Sequence, residues 1–461
     1  MRAYRVEVTG TPFRPPSVLN WIPPRAIVIG SALIVLLLAL AGMYLHYRAE
    51  PARAPSTLTA LPTTPDKHSI AVLPFSNMSG DPTQEYFADG MTEEIITSLS
   101  RLPGLYVIAR NSTFQYKGKS ADVREIGTEL GVRYILEGSV RKSDQTLRVT
   151  AQLIDAADGK HVWAQRYDGK LADVFAVQDA ITRQVVEELD VRLVSGEQAR
   201  VWRRTTSDVE AYELYLKGSD LNARNPTKEN LLLARKYLQE AIKRDPKFAA
   251  AYTHLTYTHM LNVLFGFTDS PKKEIAQGFQ AARRAIELDD FQGQAYTALG
   301  RLHMQNDELD KALMYGKRGM ELEPNSPIAQ GVYAHMLEAA GRPTECLTHL
   351  HLAMRLGPYR EPWWPWMEGL CLLQLRRADE AVRAIQKSIE LYGPEMLFPR
   401  VFLVHAYVAA GKEQEARAEV QEILLRDPSF SVDAFLSGFH FYRDPGIVAG
   451  YAANLRKAGL K

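Results

Sequence analysis

The residues with ligand or nucleophile chemistry are few and scattered. Cys346, His349 and His351 carry sulfur and imidazole donors that suit a zinc-like metal. On a helix, however, positions three apart share a face and positions five apart diverge. Cys346 also falls where a helical repeat, described below, needs a small residue. Packing is the reading adopted, and no metal or cofactor is assigned. Cys371 is the other cysteine of two. A disulfide framework is excluded, and a single Cys346–Cys371 bridge stays open. Asp89, Glu93 and Glu94 offer carboxylates for acid–base work. The reading adopted places them in a first helical turn, where acidic side chains complement the helix dipole. The chain has 11 histidines, yet no His-Glu-x-x-His, no Gly-x-x-x-x-Gly-Lys loop and no Gly-x-Ser-x-Gly elbow. The expectation is a protein that is not an enzyme, with no catalytic residue.

Binding is what remains, and composition bounds the partners. The 461 residues are 46% hydrophobic and 24% charged, which is globular composition. Lys plus Arg number 55 and Asp plus Glu 54, for a net charge of +1. No bulk positive field calls for nucleic acid. From Ala26 to Leu45 the chain is apolar and uncharged, and these 20 residues suffice for the hydrocarbon layer. Trp21, Tyr44 and Tyr47 sit where aromatic belts lie. The expectation is a tail over 1–25, a transmembrane helix over 26–46 and a Pro-rich linker over 47–66 (Pro51, Pro55, Pro62, Pro65). A cleaved leader is the competing reading, because Ala39-Leu40-Ala41 before Gly42 resembles a processing site. Arg2, Arg5, Arg14 and Arg25 against Glu7 lean the N-terminus to the cytoplasm and the rest to the far side.

Residues 67–196 carry a mixed α/β pattern. Ser69–Phe75 and Leu105–Ala109 read as buried strands, and Arg133–Arg141, Thr146–Asp155 and His161–Tyr167 as three more, joined by Ser143-Asp144 and Asp158-Gly159 turns. Helical periodicity runs through Met91, Ile95, Leu99, then Val123, Ile126, Leu130, then Val177, Ile181, Val185. The predicted order is β-α-β-α-β-β-β-α, a sheet with parallel and antiparallel pairs. The segments Ile70–Phe75, Tyr86–Glu94, Tyr134–Val140 and Ala151–Asp155, with Trp163-Ala164, closely resemble the TolB-like amino-terminal domain. The resemblance implies a non-catalytic module outside the membrane. In related chains it is often linked to a cytoplasmic class III adenylate cyclase or a winged-helix DNA-binding module, and followed by tetratricopeptide repeats. Here 25 residues precede the apolar run, so the expectation is that such an output domain is missing.

Residues 208–428 repeat. The small residue that opens the second helix of a tetratricopeptide unit falls at Ala234, Gly278, Ala312, Cys346, Ala381 and Ala416, at intervals of 44, 34, 34, 35 and 35. Six repeats are predicted, then capping helices over 429–461, the first of them spanning Phe430–Phe441. The expected fold class is thus multidomain: one transmembrane helix, an α/β TolB-like domain and an all-α tetratricopeptide solenoid. Such stacks curve and present a groove that holds protein or peptide. Phasing places Gln294, Thr297, Arg301 and Met304 in that groove, then His335 and Glu338, then Trp363, Trp366, Leu370 and Leu373, then Val401, His405 and Val408. The competing reading of Trp363-Trp364-Pro365-Trp366 is packing between units. The function expected is a docking scaffold or sensor, anchored in a bacterial inner membrane with its folded part periplasmic. A subunit or remnant of an adenylate cyclase system, and a released periplasmic protein cleaved after Ala41, are the alternatives.

Overall fold

The computed structural model describes residues 66–191, 206–223, 227–358, 361–393 and 395–461. The predicted tail, membrane span and linker lie outside them. Among the described residues no helix is long and apolar enough to cross a membrane.

The first unit is a sheet with six strands. Strand β1 (Asp66–Val72) lies between β3 (Tyr106–Val107) and β4 (Val132–Ser143), parallel to both. The two-residue β2 (Ser76–Asn77) also pairs with β4. Strands β4, β5 (Thr146–Asp155) and β6 (Lys160–Lys170) form an antiparallel meander. Its turns use the left-handed backbone of Asp144 and Gly159. One face carries α1 (Glu85–Ser100) and α4 (Val174–Glu188), and the other carries α3 (Val123–Leu130). A short helix, α2 (Arg110–Thr113), follows β3. Asp81 accepts a hydrogen bond from the Thr83 amide and starts a 3-10 turn that feeds α1.

Six antiparallel helix pairs follow. They are α5 (Val209–Ala223) with α6 (Lys228–Arg244), α7 (Ala249–Leu264) with α8 (Pro271–Leu288), and α9 (Gly293–Gln305) with α10 (Leu309–Leu322). Then come α11 (Pro327–Ala339) with α12 (Pro343–Leu356), α13 (Trp363–Gln374) with α14 (Ala378–Tyr392), and α15 (Leu397–Ala409) with α16 (Glu413–Arg426). Ala234, Ala312, Cys346, Ala381 and Ala416 are completely buried in the seams, which is why those positions are small. The first helices of successive pairs contact one another and form the inner wall. The expected cap over Phe430–Phe441 is shorter than predicted. Helix α17 spans only Val432–Leu436, and α18 (Pro445–Ala458) starts at a cap in which Asp444 accepts from the Gly446 amide. Ser437-Gly438 ends α17, and the chain turns from there to α18.

The apolar core does not respect the division between sheet and solenoid. One continuous core joins Ile70, Leu99, Leu136 and Ile181 to Tyr212, Leu216, Phe248 and Leu255. A second fills the last repeats and both capping helices.

Candidate functional site

The inner wall of the solenoid is the concave surface the repeats must present, and the chain itself sits on it in two places. The first occupant is α1. Its apolar side faces the sheet, and its outer side runs Glu93, Glu94, Thr97 and Arg101, a polar stripe one turn apart. Gly90 abuts Leu216 so closely that an added Cβ would lie 2.5 Å from a Leu216 methyl. The Tyr215 hydroxyl donates to Glu94 at 2.8 Å, and Gln178 donates to the Tyr212 hydroxyl at 2.7 Å. Asn325 donates to the Leu102 carbonyl at 2.8 Å, the Ala109 amide to the Leu356 carbonyl at 2.9 Å, and Asn111 to Glu361 at 3.0 Å. The Arg355 guanidinium lies 4.4 Å from the centre of the Tyr106 ring. Between α1 and the wall is a cavity of about 20 Å³, lined by Glu94, Arg101, His254, Gln294 and Glu323. Burial there pushes the Glu94 and Glu323 carboxyls up and the His254 imidazole down.

The second occupant is the segment between α17 and α18. Tyr442 donates to the Glu338 carboxyl at 2.9 Å, and Gln374 donates to it at 2.6 Å. The Arg443 amide donates to the Ala339 carbonyl at 3.0 Å. The Arg443 side chain pairs with Asp310, and His440 meets Asp307 at 3.0 Å. Phe441 sits edge-on to the His335 ring, and Phe439 packs on Phe398 and Phe402. Desolvation raises the Glu338 carboxyl to about 8, although its three donors pull the other way.

These occupants settle where each candidate lies. Gln294 is half-buried beside α1, in the small cavity. Thr297 is not in the groove: it is 2% exposed, and its hydroxyl donates back to the Gly293 carbonyl. A Cβ on Gly319 would lie 2.8 Å from the Thr297 amide, so α9 and α10 nearly touch there and Thr297 fills their seam. Arg301 and His335 are half-buried on the inner wall, the His335 ring against Phe441. Trp363 and Trp364 pack against Gly331 of α11. Trp366 is 7% exposed and wedged on Phe398 and Phe402 of the next unit. His405 is 8% exposed, stacked edge-on to Tyr451 at 4.8 Å. Burial holds His335 down to about 3 and His405 to about 4. Met304, Leu370, Val401 and Val408 are core residues of the last repeats.

The carboxylates of α1 also need correction. The helix begins at Glu85, so Asp89, Glu93 and Glu94 lie beyond its first turn. Asp89 pairs with Lys117, Glu93 with Arg110, and Glu94 accepts from Tyr215. Cys346 is bonded to Cys371, with Cα atoms 6.6 Å apart, which links α12 to α13. His349 meets Gln330 and His351 meets Glu368, so the three do not converge. The residues that sequence reasoning missed are Tyr442 and Tyr451, which donate to Glu338, and Asn325 of the solenoid, which donates to the Leu102 carbonyl. One signal was present: a polar stripe at spacing four on a helix whose other side must cover a sheet.

The second domain of HilA/YgeH-like transcriptional regulators matches residues 66–184, where a TolB-like domain is expected from the sequence. A protein named putative adenylate cyclase 3, from Rhizobium meliloti (strain 1021), is 43% identical over 265 residues. That match covers 57% of this chain, and the chain spans only 45% of the relative. Among solved structures, the Cut9-Hcn1 hetero-tetramer of the APC/C aligns over 58% of this chain and 53% of its own at TM-score 0.39 and 19% identity. PilF of Pseudomonas aeruginosa aligns over 49% of this chain and 97% of its own, at TM-score 0.39 and 13% identity. At those scores the structural alignments decide nothing about function.

Proposed function

We propose that this chain is a protein-docking scaffold whose concave repeat face takes a protein or peptide. The observation that carries the reading is that this face already holds two segments of the chain, one helical and one irregular. It holds them through side chain-to-backbone hydrogen bonds, aromatic contacts and rim ion pairs, which are the contacts a partner would use. The half-buried stretch between the two occupants, from Arg301 to the edge of His335, is where a partner enters. Site-specific photo-cross-linking from His335 and from an exposed convex position such as Leu425 tests this. A partner captured from His335 and not from Leu425 is expected. Equal capture from both, or none from His335, overturns the concave-face assignment.

The same reading places the apolar run Ala26–Leu45 in a bacterial inner membrane, with the folded part periplasmic. A Cys346–Cys371 bond supports an oxidising compartment. Sedimentation of the protein with membranes is expected, and a mature N-terminus at Gly42 would replace the anchor with a released form. A second reading, membership of an adenylate cyclase signalling system, rests on the 43% identical relative. It predicts cyclic AMP formation by the purified chain with Mg²⁺ or Mn²⁺, or a changed rate when the chain is added to a cyclase. Neither effect appearing would leave docking alone.

A further inference from the structure

Among the described residues, the buried and half-buried cations of this solenoid are paired with carboxylates or lie against aromatic rings, with one exception. Arg235 pairs with Glu274 at 2.8 Å, Arg400 with Glu419, and Arg443 with Asp310. Arg301 projects from the inner wall of α9, and no hydrogen bond, ion pair or ring contact reaches its guanidinium from the described residues. Its electrostatic neighbours are the Tyr257 hydroxyl of α7 and the His335 imidazole of α11. Neither is a carboxylate. Of the nearby acids, Glu323 accepts from the Gln294 amide at 3.3 Å and feels Arg101, and Glu338 is engaged by Tyr442 and Gln374. The Tyr257 hydroxyl carries no hydrogen bond among the described residues either. Burial lowers the Arg301 pKa.

A guanidinium partly withdrawn from water and left without a counter-charge is stabilised by an anion that completes it. Its planar fork fits an oxoanion through two parallel hydrogen bonds. We infer that Arg301, flanked by Tyr257 and His335, anchors a carboxylate or phosphate group carried by the ligand of the concave face. The inference rests on the docking reading above and adds the chemistry of what is docked. The half-buried Phe441 ring, edge-on to His335, supplies apolar contact for the part of the ligand next to its anion.

The test uses the full chain and two probes, sodium succinate and inorganic phosphate, against sodium chloride at matched ionic strength. Binding to the native state raises the unfolding temperature in a saturable way, whereas general salt exclusion does not saturate. A saturable rise with one or both probes is expected, with its midpoint at least tenfold weaker in Arg301→Gln and partly restored in Arg301→Lys. Succinate acting alone assigns a carboxylate source, and phosphate acting alone assigns a phosphoryl source. The inference is overturned if neither probe gives a saturable shift, or if Arg301→Gln responds as the wild type does. Should the anion bind while His335 cross-links no partner, the docking reading fails and the anion site stands. Should Arg301→Gln still capture the same partner at unchanged affinity, docking stands and the anion site is not used by it.

Discussion

Glu338 shows how a side chain assigned by helical phasing acquires its properties from residues about a hundred positions away. Phasing alone put it and His335 on the inner wall. What it could not supply was Tyr442, whose donation across 104 positions turns a solvated acid into a buried one. The consequence is a pH dependence with a definite sign. The folded Glu338 pKa, about 8, lies above the ordinary 4.5, so the folded state holds that proton more tightly. Its contribution is fully present below pH 4.5 and is lost as pH rises through 8. His335 and His405 behave oppositely. Their folded values of about 3 and about 4 lie below 6.5, so stability present above pH 6.5 is lost as pH falls. Urea unfolding of the wild type should therefore peak between these limits. Glu338→Gln should match the wild type near pH 5 and exceed it near pH 9 by on the order of 3 kcal/mol. A variant equally or less stable at pH 9 would mean that Glu338 is not buried as described.

At the scale of elements the sequence was most legible where spacing carried the information. A 34- or 35-residue recurrence of small residues marks the helix pairs because only a small side chain lets two helices meet, and each marker has a place in a seam. Thr297 was misassigned for the same reason. Gly300 on α9 and Gly319 on α10 let these two helices meet backbone to backbone, which turns a groove position into a seam position. The tryptophans of α13 were undecidable from sequence, since three of them within four residues must point in different directions, and the neighbouring units absorbed them. The cysteines were legible only as an open alternative. Their bond joins two consecutive units across 25 residues of chain, which in the loop-entropy account is worth about 3 kcal/mol. A reductant should lower the wild-type unfolding temperature by several degrees. The double variant Cys346→Ser with Cys371→Ser should unfold at the reduced wild-type temperature and ignore the reductant. A wild type that ignores it too would show the thiols to be free.

The whole molecule was the least legible scale, because the join between sheet and solenoid is written in pairs that no local pattern connects. Asn325 reaches the Leu102 carbonyl over 223 positions, and Gly90 meets Leu216 only because both helices have already folded. Each of the two parts, read alone, looks like a module that folds and binds by itself. Their shared core argues instead for one cooperative unit, in which α1 is at once a cover of the sheet and a fixture of the groove. If so, a single unfolding transition should report both parts. Asn325→Ala leaves a buried carbonyl without its donor and should cost about 1–3 kcal/mol in that transition. Gly90→Leu has no room against Leu216 and should go further, loosening α1 from α5 while the sheet core survives. Hydrogen exchange would then quicken together in α1 and along α5 and α7, with α14 to α16 unchanged. Exchange that quickens in α1 alone would mean that the solenoid holds its shape without the sheet. The groove would then be a preformed site on which α1 merely rests, open to any ligand that competes for the same wall.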